Sequence, residues 1–147
     1  MARLILVPLL ALFLLLAQSH AEYVGGTVPA MASGAAGSVG IADQEYFAFY
    51  AKGAQVRVPY QRINLIEYGQ KVDRRLLMAV VVSPIFVLSK TRKHFLTVGY
   101  TGDDGKQQAI VFCVDKNSIR PVLAGLEART GLKVQYQDAE ARKAGKG

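Results

Sequence analysis

The stretch His94-Phe95-Leu96-Thr97-Val98-Gly99-Tyr100-Thr101-Gly102-Asp103-Asp104-Gly105-Lys106-Gln107-Gln108-Ala109-Ile110-Val111-Phe112-Cys113-Val114-Asp115 decides the fold. Residues 94–100 and 107–115 are rich in β-branched and aromatic side chains, and the Asp-Gly between them is a strong hairpin signal. The second strand is apolar on both faces, so it predicts a sheet covered on each side. A helix is expected directly after it, capped by Asn117 or Ser118 and running to about Thr130. Ile119, Val122, Leu123 and Leu126 repeat at i, i+3, i+4 and i+7, Pro121 falls in the first turn, and Gly131 supplies the stop.

Working backward, residues 38–42 and 46–51 read as a hairpin around Asp43-Gln44-Glu45. Tyr46, Phe47, Phe49 and Tyr50 belong to its core side rather than to a stacking platform. Residues 55–67 alternate, with Val56 and Val58 on one side and, beyond a break at Pro59, Ile63, Leu65 and Glu67 opposite Arg62, Asn64 and Ile66. Residues 23–28 suit an edge strand, and Gly25-Gly26 lacks the surroundings of a phosphate-binding loop. Residues 132–137 suit a last strand, and 138–147 a charged tail or frayed helix.

The first 21 residues carry one cation (Arg3), a 14-residue apolar run at 4–17 and small residues at Ser19 and Ala21. These are the parts of a secretory signal, and cleavage is expected after Ala21; an uncleaved anchor is the competing reading. Removing 21 of 147 residues leaves 126, enough for one domain with a real core. The expected division is signal 1–21, a Gly/Ala-rich segment 22–36, one domain 37–137 and the tail. With Cys113 as the one cysteine, no internal disulfide is available. The 18 Lys plus Arg against 11 Asp plus Glu give a net +7, or about +6 without Arg3. For an exported chain that favours an anionic membrane surface or a protein partner over nucleic acid.

Between residues 74 and 94 an uncharged run, 76–89, is held between cations: Arg74 and Arg75 before it, Lys90, Arg92 and Lys93 after it. At 14 residues with Pro84 inside, it is too short to span a bilayer. Helical spacing and the Val80-Val81-Val82 triplet leave its secondary structure open. The five cations are the candidate binding residues, and Leu77, Val81 and Phe86 the candidate membrane or partner contacts. Against this stands a segment that fills the barrel, covers the outer face of strand 107–115, or closes a homo-oligomeric interface.

The order of elements, about six antiparallel strands and then one amphipathic helix, resembles the pleckstrin-homology-like (PH-like) fold, in particular bacterial PH-like and GRAM-like domains. Val58-Pro59-Tyr60-Gln61-Arg62-Ile63-Asn64-Leu65-Ile66-Glu67 is similar to a Pro-Tyr-x-x-Ile strand of those families. The resemblance covers residues 37–136 as an order of elements, and implies an α+β, mostly β chain: an antiparallel bent sheet or half-open barrel with one C-terminal capping helix. It also implies a binding domain that does no chemistry. The residues agree with that last point. One cysteine and one mature histidine do not make a metal set, so neither metal nor cofactor is expected. Cys113 sits in an apolar strand as a small hydrophobe rather than as a nucleophile paired with His94. Asp103-Asp104 is turn chemistry, and Glu67 and Asp73 carry no sign of a catalytic pair.

Overall fold

A computed structural model describes residues 18–27, 31–71, 81–82 and 93–146. The elements are β1 (Gln18–Gly26), β2 (Ala35–Gly40), β3 (Tyr46–Ala51), β4 (Ala54–Pro59), a 3-10 turn (Tyr60–Arg62), β5 (Ile63–Gly69), β6 (Val81–Val82), β7 (Phe95–Thr101), β8 (Gln107–Val114), α1 (Lys116–Thr130), β9 (Gln135–Tyr136) and α2 (Ala139–Lys146). Eight strands run in the order β4-β3-β2-β1-β8-β7-β5-β9, and β6 pairs with β1 off this path. The chain is mostly β, as expected, but its sheet is mixed: β5 and β9 are parallel, and every other pair is antiparallel.

The sheet curls without closing. Phe112 on β8 meets Phe47 and Phe49 on β3 at ring-centroid distances of 5.7 and 5.0 Å. Those strands are three places apart, about 14 Å in a flat sheet. The link from β4 to β5 makes the same demand, because the strands stand six places apart, about 29 Å if flat. The four steps from Pro59 to Ile63 reach about 14 Å at most. Inside the curve lies the main core, with Tyr23, Val39, Phe47, Phe49, Val58, Ile66, Tyr68, Leu96 and Phe112 facing Ile119, Val122, Leu123 and Leu126 of α1.

The hairpin of β7 and β8 is as expected, from Phe95 opposite Cys113 to Thr101 opposite Gln107. Its turn uses Gly105 at φ 76°, with the Lys106 N–H donating to Asp104 Oδ1 at 3.0 Å. The helix also follows expectation, burying the four named residues and ending at Gly131 with φ 75° and its N–H on the Glu127 carbonyl. It starts two or three residues earlier than expected, and Asp115 is its cap residue without a side-chain bond. Gly131→Ala should cost about 1–2 kcal/mol in denaturant unfolding, since the left-handed conformation penalises a Cβ.

Four expectations need correction. The strand at 23–28 is not an edge: β1 starts at Gln18 and lies between β2 and β8. Its bulge leaves Val24 extra between Tyr23 and Gly25, so Tyr23 enters the main core and Val24 a second one. On β5 the alternation breaks at Asn64, which is extra between Ile63 and Leu65. The side chains therefore change phase, and Ile63, Ile66 and Tyr68 are buried instead of Ile63, Leu65 and Glu67. The last strand shrinks to two residues and runs parallel to β5.

The tail, finally, is a second helix rather than a frayed end, so two helices stand where one was expected. Asp138 caps it, accepting the Ala141 N–H at 2.6 Å, and small Ala141 and Gly145 let its backbone close on Tyr136 and Tyr68. Its high charge hid that stripe.

A smaller cluster, Val24, Phe95 and Val111 with Ala109 and Cys113 packed on it, occupies the other face of the sheet. The cover on both sides of β8 that its sequence requires is thus present: Val111 and Phe112, on opposite faces, are both fully buried.

Candidate functional site

Most of the candidate binding segment lies outside the described residues: Arg74, Arg75, Lys90, Arg92, Leu77 and Phe86 do, and of Val81 only the backbone is described. That backbone is in β6, where Val81 pairs with Gly26 and Val82 with Gly25. Lys93 is half-buried, just before β7. The two roots of the segment are adjacent, because Gly69, last residue of β5, pairs with Phe95, first of β7.

Beside those roots a cleft of about 510 Å³ is lined by Gln70, His94, Lys116, Asn117, Arg120 and Ala144. Three turns of chain bring these residues together. His94 extends the β7 ladder, its carbonyl accepting the Val114 N–H at 2.8 Å. The next residues after Val114 begin α1, so Lys116 and Asn117 fall at the same end of the sheet. Arg120 stands four residues beyond Lys116 and so on the same side of the helix. Arg120 Nε donates to the Ala144 carbonyl in the last turn of α2 at 3.0 Å, which fixes the guanidinium against the cleft.

His94 is held from below by Tyr68. The Tyr68 hydroxyl lies 2.6 Å from His94 Nδ1, and the two rings are nearly parallel, with centroids 5.9 Å apart. Burial pushes the Tyr68 phenol up to about 12, so it keeps its proton. Burial, and then the charges of Lys116 and Arg120, hold His94 below its ordinary value. That lowering favours the uncharged ring at neutral pH.

A stability consequence follows from the sign of that shift. Below pH 6.5 the unfolded chain takes up a proton that the folded His94 refuses, so stability falls as pH drops from 6.5 to the lowered folded value. Urea midpoints at pH 7.5 and 5.5 should show this loss in the native chain and a smaller one in His94→Gln.

A second cleft, about 610 Å³, opens where the sheet fails to close and is lined by Tyr46, Arg57, Arg62, Tyr100, Asp103 and Asp104 among others. Its cations are engaged already. Arg62 pairs with Asp103, while Arg57 pairs with Asp43 at 3.9 Å and lies 4.5 Å over the Tyr46 ring. In the first cleft, by contrast, neither Lys116 nor Arg120 forms an ion pair among the described residues.

Cys113 is half-buried and its thiol is pushed up by burial, the opposite of an activated nucleophile. Among the described residues no group of three or more His, Cys, Asp or Glu is placed to hold a metal. No helix among them is long and apolar enough to cross a membrane. No protein-family model matches the chain, and no curated protein matches it significantly.

Sequence reading names none of the residues lining this cleft as a binding residue: it weighs His94 only as a partner for Cys113, and it misses Tyr68, Gln70, Lys116, Asn117 and Arg120. Only the Lys116-Asn117 pair beside a helix start carried a local signal. The rest are brought in by strand pairing.

Proposed function

We propose that the chain is an exported, non-catalytic binding module of the PH-like kind, engaging an anionic membrane surface through Arg74, Arg75, Lys90, Arg92 and Lys93. The observation that carries this reading is the pairing of Gly69 with Phe95. The uncharged run and its basic flanks lie in the sequence between these two neighbouring strand ends. Lys71 and Lys93 sit at the roots, and Lys116 and Arg120 add charge of the same sign nearby. Leu77, Val81 and Phe86 are the apolar contacts of the same reading.

Sedimentation with vesicles tests it. Binding should require anionic lipid and weaken with salt. Replacing Arg74 and Arg75 by glutamine should reduce it about thirtyfold, from about 1 kcal/mol per cation near the surface. Indifference to lipid charge would overturn the reading.

The second cluster favours another reading, in which the uncharged run is filling or an interface between copies. Val24, Phe95 and Val111 run from the root of the segment toward Gly25 and Gly26, where β6 pairs. Lipid indifference together with a mass that rises with protein concentration would select it.

A further inference from the structure

We propose that the cleft between the start of β7 and the two helices binds a phosphate monoester, either free in solution or as a lipid headgroup. The proposal deepens the membrane reading and rests on it only for the second source. Lys116 and Arg120 bring two positive charges with no acidic partner among the described residues. A phosphate monoester carries about −1.5 to −2 at neutral pH, so the charges balance.

The neutral groups match as well. Tyr68 occupies Nδ1 of His94 and leaves Nε2 for the ligand; because a phosphoryl group offers only acceptors, its binding selects the ring state with a hydrogen on Nε2. Asn117 lines the same wall with a side-chain amide, while Gln70 is engaged with Tyr68. Arg120 spends Nε on Ala144 and keeps its terminal nitrogens for the ligand. A carboxylate has too few oxygens to meet this set, and a cation would face two like charges.

The probe is inorganic phosphate, titrated against the native chain at constant ionic strength while the His94 proton resonances are followed by NMR and assigned with His94→Gln. Phosphate should move them saturably and raise the His94 pKa, since the bound anion offsets the two cations. Lys116→Gln should weaken binding about tenfold, the loss of one charge-assisted hydrogen bond, without lowering the melting temperature. Lys52→Gln, an exposed cation in the turn after β3, should change nothing. Resonances that move no more than with chloride, or a Lys116→Gln chain that binds as tightly as the native one, would overturn the proposal.

Vesicles of phosphatidylcholine with phosphatidic acid, against vesicles with phosphatidylglycerol at matched charge, separate the sources. Capture by the first alone, displaced by phosphate, makes the headgroup the ligand. Phosphate binding without capture by either leaves the cleft standing as a soluble-ester site and removes the membrane reading. Capture by both, undisturbed by phosphate and by Lys116→Gln, does the reverse.

Discussion

Phe112→Ala should cost about 3–5 kcal/mol, read from the shift of the urea midpoint at unchanged slope. The ring is fully buried and stands at the focus of the curved sheet, against Tyr23 at 6.2 Å, Phe47 at 5.7 Å and Phe49 at 5.0 Å. Its loss removes the transfer energy of a large side chain and leaves a void between β3 and β8, each held in place by its own neighbouring strands. Edge-on ring contacts add about 0.5–1.5 kcal/mol each. Against a total stability of about 5–15 kcal/mol this brings the domain close to unfolding at 37 °C. Phe112→Leu, which keeps much of the volume, should cost roughly 1.5 kcal/mol. A cost below about 1 kcal/mol for the alanine variant would mean that the two halves of the sheet do not depend on this ring.

A chain that begins at Gln18 should be more stable than one that begins at Glu22 by about 4 kcal/mol. Residues 18–21 supply four of the six positions at which β1 pairs with β2: Gln18 with Gly40, Ser19 with Val39, His20 with Ser38 and Ala21 with Gly37. They also supply Ala21 opposite Val114, and the His20 carbonyl that accepts the Asp115 N–H at 3.1 Å, just before α1. At about 1 kcal/mol for each lost hydrogen bond, plus buried Ala21, the deficit reaches that figure. Urea unfolding of the two chains checks it. The result bears on the cleavage after Ala21 expected from the sequence, which would trim β1 to its last five residues. Equal stability would mean that those five hold the centre of the sheet unaided.

Local chemistry made part of this fold legible. The Asp103-Asp104-Gly105 turn, the Gly131 stop and the apolar face of α1 each depend on residues within one turn of one another. What escaped depends on distant ones. The bulge at Asn64 is set by where β7 pairs, and no property of residues 63–67 alone reveals that Leu65 will leave the core and Ile66 enter it. The short N-terminal strand resembles an edge because half of its partners come from β8, some ninety residues on. For α2, two small residues matter more than four charged ones, since Gly145 admits the rings of Tyr136 and Tyr68. The cleft was illegible for the same reason: Gln70, His94 and Arg120 meet only once β5, β7 and α1 are assembled. The aromatic strand 46–51 was read correctly as core for Phe47 and Phe49, while Tyr50 on its other face is exposed.

The pairing of β1 with β8 joins Glu22 to Cys113 and Tyr23 to Phe112. A growing polypeptide therefore displays β1 with one open flank until nearly four fifths of the chain has emerged. Such long-range closure places folding in the millisecond-to-second range and exposes a hydrogen-bonding edge throughout that wait.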